Sequence, residues 1–584
     1  VSEKPTFPEP PPPLPPTPLV QIDLKLANLD AHKADWPKVT LAERIRLLDE
    51  LAKGVVRVAE AWCDAGARRK GLDPASEEAG EEWLAGPVVT LRNLRLLREA
   101  LEAGGAPKPS RVHDERGPDG VDRKVARVFP ASLLDRLTFG GVTVDVVMAP
   151  GQPASQGRVY REDKGEGRVC LVLGGGNVSS IAPMDALYKL FVEDEVVLLK
   201  TNPVCEHVGP LLEDAFAPLV DRGYFAVVYG GAHEGAYAAA HALTGSLHVT
   251  GSDATYDAIV WGASEEERTK NRAEGTPKNT RPFTAELGCV TPVLVVPGPW
   301  SEADLVYQAR HVASMVTQNA SFNCNAAKVL VMARGWLQRE AFLEHLHAEL
   351  AKIPRRKAYY PGAERRHRSF LEAYPNATPL GPSDVAPETL PWTVIPDVPA
   401  RAGEHALTHE AFCGVLAEVT LDLADETEGF SRDPYPDAER FLAKAVPFVN
   451  ERVWGTLSCI LLAHPTTLDA HGGAIERAIT ELRYGAVAVN CWAGLVYGLV
   501  VPPWGAYPGH TREAITSGTG FVHNTSLFDH PEKTVVRAPF RTFPKLPYFS
   551  DHKAMKSLAK ALMAVEARPG LGELWDLVKA SLRG

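Results

Sequence analysis

One cysteine in this chain stands where a nucleophile would. The stretch from Met315 to Met332, MVTQNASFNCNAAKVLVM, carries Cys324 out of an Asn-rich polar turn and into the apolar run Val329, Leu330, Val331. A thiol at the mouth of a buried strand is held rigidly behind while its sulfur faces a cleft, the placement that covalent catalysis needs. An isolated cysteine is more often a small buried hydrophobe, so the chemistry turns on what other segments can bring to the sulfur.

The elements that would position it alternate. From Val169 onward VCLVL, VVLLK, FAVV and SLHVT each lead through a turn into a helical run, the first of these runs spanning Pro183 to Phe191. Short apolar strands alternating with helices imply a parallel sheet of the dinucleotide-binding kind. The triplet Gly174, Gly175, Gly176 after the first strand invites a Rossmann fingerprint, but Ser179 occupies the third glycine position. The neighbouring Asn177 carries more information than the glycines. After SLHVT the residues Thr250, Gly251 and Ser252 open another helix, and an unpaired helix N-terminus suits a phosphate.

Composition narrows the class. With 584 residues the chain exceeds one core, so two or three domains are expected. An apolar fraction of 45% with 23% charged residues is that of a soluble globular protein. The net charge of −11 argues against a general nucleic-acid binder. Eight cysteines stand singly, without a C-x-x-C pair, which excludes a sequence-evident zinc site or disulfide framework and suits a reducing compartment. No run reads as a signal peptide, and the most apolar stretch, 486–507, is interrupted by Asn490, glycines and Pro502-Pro503. The expectation is a soluble, cytoplasmic protein that neither spans nor binds a membrane.

Along the chain, residues 1–25 read as a Pro-rich tail or an arm lying on the body. Thr40 with Glu43 forms a capping-box pattern before Leu41, Ile45, Leu48, Leu51 and Val55, and a second periodic run covers 88–101; both are expected as surface helices. Residues 104–124 are polar and read as a loop. Strands are expected at 137–148 and 157–162, a hairpin candidate around APGQPASQ. The polar segment GASEEERTKNRAEGTPKNTR, 262–281, is expected to be a surface loop.

In order, these pieces resemble the aldehyde dehydrogenase superfamily. Asn319, Asn323, Cys324 and Ala326 match its nucleophile segment, with Ser321 and Phe322 in place of the usual Gly and Gln. Glu286 in ELGCVTPV resembles the segment that supplies the general base, Asn177 the amide that holds the carbonyl oxygen, and Lys200 the lysine that binds the adenosine ribose. Gly251 and Ser252 match the turn beside the pyrophosphate, while Glu410 and Phe412 in HEAFCGVL match the segment that binds the ribose next to the nicotinamide. Val489-Asn490 and PPWGAYPG resemble the closing motif, and the resemblance runs from about residue 40 to about 545.

The resemblance implies an α/β fold. A Rossmann-like cofactor domain would cover 26–136 and 165–285, and an α/β catalytic domain 286–519. A β-hairpin oligomerisation arm would take 137–164 and 520–545, with a helical extension at 546–584. In the family such a hairpin joins a partner subunit's sheet, giving a homodimer or homotetramer; an ordinary internal hairpin is the alternative. The implied reaction is NAD- or NADP-dependent oxidation of a small aldehyde, with Pro203 standing where NAD-preferring members place an acid, so NADP is tolerated. Cys324 attacks as thiolate, which requires neighbours that lower its pKa below about 8.5. Three rivals stand beside this reading: a CoA-acylating enzyme of the same fold, which generally lacks the acid at Glu286; a non-catalytic protein that kept the fold; and an unrelated thiol hydrolase, which would want a histidine by the cysteine.

Overall fold

The computed structural model describes residues 7–162, 165–382, 386–423, 438–568 and 570–584. Two sheets dominate. The smaller has six described strands in the order Gly518–Thr519, Phe283–Glu286, Ser246–Thr250, Val169–Leu173, Val196–Lys200, Phe225–Val228, all parallel except the first. Its central strands are buried along their whole length, which is why they read as unbroken apolar runs and not as alternating ones.

The larger sheet has eleven described strands. Its parallel centre runs Pro531–Arg537, Ala486–Val489, Ser458–Leu462, Thr291–Val295, Ala327–Ala333, Val415–Leu421, Trp392–Ile395. Antiparallel Thr378–Leu380 closes one side. On the other, Thr143–Met148, Asp122–Phe129 and Arg111–Arg116 continue from Pro531–Arg537. Between Glu286 and Thr291 the chain crosses from a strand of the small sheet to a strand of the large one, so the last residue of the first strand lies close to the first residue of the second.

Several expectations are corrected. The residues 137–148 do not form one strand: Leu133–Thr138 is a helix with a Ser132–Asp135 capping box, and only Thr143–Met148 is extended. At 157–162 there is a short turn, Arg158–Tyr160, so the expected hairpin is absent. A hairpin forms instead at Arg111–Arg116 and Asp122–Phe129, where a loop was expected. The first of these strands, RVHDER, lacks apolar alternation because it is largely exposed and held by cross-strand charge, Lys124 to Asp114 at 2.7 Å and Arg116 to Asp122 at 2.9 Å. These strands belong to the large sheet, as do Thr143–Met148 and Pro531–Arg537. The 262–281 segment contains a helix, Glu265–Glu274, started by a Ser264–Glu267 capping box and stopped by left-handed Gly275.

From residue 7 onward the Pro-rich start takes the arm arrangement, against the body. A helix, Leu19–His32, begins inside the expected tail, and the prolines before it lie on the body: Leu14 N donates to Glu206 Oε1 at 3.0 Å and Thr17 N to the Tyr229 carbonyl at 3.1 Å. Thr40 caps the helix Leu41–Arg69 through the Glu43 N–H. The helix Val89–Glu102 is buried instead of superficial: it packs mainly on Leu41–Arg69, and the C-terminal helix Met555–Ala567 covers part of what remains. Glu566 of that helix pairs with Arg92 and Arg95, each at 2.7 Å, and these arginines hold its carboxyl below the usual range against the effect of burial. Removing one partner of such a buried pair is expensive. Glu566→Ala is therefore expected to destabilise the protein by about 3 kcal/mol, read as a lowered urea midpoint, while Glu573→Ala on the exposed last helix leaves that midpoint unchanged.

Candidate active site

The nucleophile segment enters its strand through a strained turn. Asn319, Ala320 and Ser321 are all left-handed, with φ of 54°, 55° and 68°. None is glycine, and each such residue costs about 1–2 kcal/mol. The turn is held by the side chain of Asn319. Its Nδ2 donates to the carbonyl of Asn177 at 2.9 Å, to that of Phe322 at 3.2 Å and to Asn323 Oδ1 at 3.1 Å. Its Oδ1 accepts from Lys70 Nζ at 2.8 Å and the Tyr359 hydroxyl at 2.9 Å. Its backbone N–H donates to Glu81.

Cys324 follows, half-buried, just before Ala327–Ala333. Its Sγ lies 3.3 Å from Glu286 Oε1, the last residue of its strand in the small sheet. Trp504 Nε1 donates to the same carboxyl oxygen at 3.1 Å. Burial pushes Glu286 up to about 8, partly offset by these two hydrogen bonds and reinforced by Asp185 and Glu410. The thiol is raised well above its ordinary value by burial and then by the negative charge of Glu286 and Glu410; Lys328 pulls the other way. The expectation that neighbours lower the Cys324 pKa is thus reversed in the ligand-free protein, because two acids and a desolvated niche outweigh one lysine. Lys328 itself is buried, donates to the Asn323 carbonyl at 3.1 Å and is lowered by burial.

Asn177 follows the first strand of the small sheet. Its Nδ2 donates to the Phe322 carbonyl at 2.9 Å, which occupies one of two amide hydrogens. The eight residues singled out in the sequence, Asn177, Lys200, Gly251, Ser252, Glu286, Cys324, Glu410 and Phe412, all line one cleft of about 1470 Å³. It lies at the carboxyl ends of the small sheet's strands, where ligands bind in open α/β sheets.

The residues toward the far end of the cleft fit a dinucleotide. Lys200 ends its strand with Nζ in no hydrogen bond or ion pair among the described residues, and burial lowers its pKa. Glu410 Oε1 is buried without a hydrogen-bond partner, and burial raises its carboxyl to about 7. A Cβ on Gly288 would sit 2.1 Å from Glu410 Oε2, so this glycine is what lets the carboxyl enter. An unsatisfied buried acceptor facing a cleft matches a sugar hydroxyl. At the helix Asp253–Val260 the fit is partial: Ser252 Oγ and Asp253 Oδ1 already accept the N–H groups of Thr255 and Ala254.

Sequence reasoning missed four contributors. Trp504 was visible only as the aromatic of PPWG, Lys328 follows the nucleophile without a motif, and Lys70 and Tyr359 lie in segments with no chemical pattern.

No protein-family model matches the sequence, and no curated protein does. Solved structures match it in fold. NADP-dependent glyceraldehyde-3-phosphate dehydrogenase from Bacillus halodurans C-125, complexed with NADP, is 15% identical with a TM-score of 0.58 over 90% of this chain and 92% of that one. NAD-dependent aldehyde dehydrogenase from Sinorhizobium meliloti is 17% identical, with 0.59 over 90% and 89%. Mycobacterium tuberculosis aldehyde dehydrogenase complexed with NAD+ is 14% identical, with 0.57 over 91% and 92%. The chain has the aldehyde dehydrogenase fold.

Two outcomes follow for the thiol–carboxyl pair. Cys324 is the one cysteine of the eight that is not fully buried, so iodoacetamide should label it first, slowly at pH 7 and faster as pH rises past 8. Trp504→Phe removes a donor that favours the Glu286 carboxylate, so the carboxyl pKa should rise and any activity limb set by Glu286 should move to higher pH.

Proposed function

We propose that this protein oxidises an aldehyde to a carboxylic acid with NAD or NADP, through a thioester on Cys324. The observation that carries the reading is a convergence in one cleft. A half-buried thiol lies 3.3 Å from a carboxyl whose pKa is raised to about 8, and Lys200, unpaired among the described residues, and Glu410, with its Oε1 unpartnered, line the same cleft.

The chemistry follows from those placements. Glu286 as carboxylate takes the Cys324 proton across their hydrogen bond, and the thiolate attacks the aldehyde carbon. The backbone N–H of Cys324 and the second amide hydrogen of Asn177 hold the oxygen as it becomes negative, each donor contributing about 3 kcal/mol. Lys200 and Glu410 would hold the two riboses of the dinucleotide, which supplies the hydride acceptor. Once it has passed the Cys324 proton to solvent, Glu286 as carboxylate accepts a proton from the water that attacks the thioester, and the acid leaves as the Cys324 sulfur departs as thiolate. Because its pKa is about 8, Glu286 is mostly a neutral acid at pH 7 and a base above pH 8. Turnover limited by this base therefore rises with pH through that value.

The cofactor preference rests on Lys200. Pro203 offers no carboxylate, and that of Glu234, the closest acid to Lys200 by its electrostatic effect, is engaged by the Gly231 N–H at 2.7 Å and by His233 at 3.1 Å. NADP should therefore bind at least as well as NAD. NAD binding more than about ten-fold tighter in parallel titrations, 1.4 kcal/mol, would contradict it.

The reaction is tested by Glu286→Gln assayed over an aldehyde panel. The variant should release about one equivalent of NAD(P)H per site and then stall with an acyl group on Cys324 visible by mass spectrometry. Cys324→Ala should give no burst while still binding cofactor. A wild-type steady rate in Glu286→Gln would remove this carboxyl from the mechanism, and turnover of the wild type that requires CoA would assign the site to acyl transfer.

A further inference from the structure

We propose that Lys70 is a positioning residue of this site, acting with Tyr359. Their donors meet on the Asn177 carbonyl and the Asn319 side-chain oxygen, and so lock the oxyanion amide and the nucleophile turn into one rigid unit. The inference rests on the reaction proposed for the same cleft.

Lys70 caps the long helix Leu41–Arg69 at its C-terminus and is buried. Its ammonium reaches three acceptors: the Asn177 carbonyl at 2.9 Å, Asn319 Oδ1 at 2.8 Å and Glu82 Oε1 at 2.5 Å. Two hydrogen bonds and an ion pair, to three different segments, fix its orientation. The Tyr359 hydroxyl lies 3.0 Å from the same carbonyl and 2.9 Å from the same Oδ1. The Asn319 amide makes a third donor to the Asn177 carbonyl, at 2.9 Å. One backbone oxygen beside the oxyanion amide therefore lies within hydrogen-bond distance of three polar groups from three different segments, the single Tyr359 proton being shared with Asn319 Oδ1.

The strain of the turn explains what such a hub is for. Three consecutive left-handed residues persist only where surrounding contacts over-determine them. Here Asn319, the first of the three, is gripped through its backbone N–H by Glu81, which Arg356 in turn holds at 2.9 Å. Lys70 with Glu82 and Arg356 with Glu81 are buried, oppositely charged pairs. Buried pairs of this kind add little stability over apolar side chains of equal size, so their presence is better accounted for by geometry than by stability. None of these charged side chains, nor Tyr359, lines the cleft. They act through Asn177 and Asn319, not on substrate.

The test uses the full chain and two variants. Tyr359→Phe keeps the ring against Phe322, at 4.8 Å between centroids, and removes only the hydroxyl. Lys70→Met combined with Glu82→Gln removes the ammonium without stranding a charge. In Tyr359→Phe the NAD(P)H burst should slow about ten-fold, the scale of one lost buried hydrogen bond, with the cofactor Kd unchanged. Iodoacetamide labelling of Cys324 should shift to lower pH, because a loosened turn lets the sulfur leave its desolvated niche beside Glu286. The double variant should move both readouts further in the same directions. A hub that merely stabilises the fold would lower Tm and leave both unchanged in the folded protein, and that result overturns the proposal. If the double variant does not fold, Tyr359→Phe decides alone. If the wild type reduces no cofactor with any aldehyde, the proposed reaction fails separately, and the labelling profile still decides: a shift upholds the hub and no shift refutes it.

Discussion

A thiol and a carboxyl held in contact away from water are the constraint on which the rest of this structure depends. Burial disfavours the charged form of each, and the charges of Glu286 and Glu410 further disfavour the thiolate, so the pair favours its protonated forms at pH 7. Such a pair is inert until something compensates the charge, and the fold provides for that compensation to arrive from the open side. Behind the sulfur there is a single lysine, Lys328, itself lowered by burial. In front is a cleft of about 1470 Å³.

The two sheets make that contact possible. Glu286 ends a strand of one sheet and Thr291 begins a strand of the other, and Ala327–Ala333, which pairs with Thr291–Val295, brings Cys324 to the same seam. Neither sheet alone holds both groups. The seam is then braced from outside by the N-terminal helices through Lys70 and Glu81, and those helices are in turn covered by the C-terminal helix through Glu566. Segments that touch no ligand thus set the geometry of those that do.

The sequence made the parallel strands legible because burial on both faces leaves unbroken apolar runs such as VCLVL and VVLLK. The proposed nucleophile and base were reached through resemblance: Cys324 by its Asn-rich strand entry, and Glu286 by the segment ELGCVTPV, where it was expected at the start of a strand and stands at the end of one. The sequence concealed the Arg111–Arg116 strand, whose charges pair across the hairpin and imitate a loop, and the burial of Val89–Glu102, which depends in part on a helix more than 450 residues later. The sign of the Cys324 shift was likewise hidden. It depends on the distance to Glu286 and on the number of acids around the sulfur, quantities that no motif encodes. Lys70 and Tyr359 escaped notice for the same reason, since what matters about them is convergence on one carbonyl from distant segments.

The protonation of the thiol is the claim that reaches furthest, and ultraviolet thiolate absorbance reads it without any assay of turnover. The difference spectrum between the wild type and Cys324→Ala, followed with pH on cofactor-free protein, isolates this one sulfur. The account predicts no thiolate signal at pH 7 and its appearance only at pH above the ordinary cysteine range of about 8.5. A full thiolate signal at pH 7 would contradict it, because the sulfur would then be neither desolvated nor paired with a carboxyl that keeps its proton.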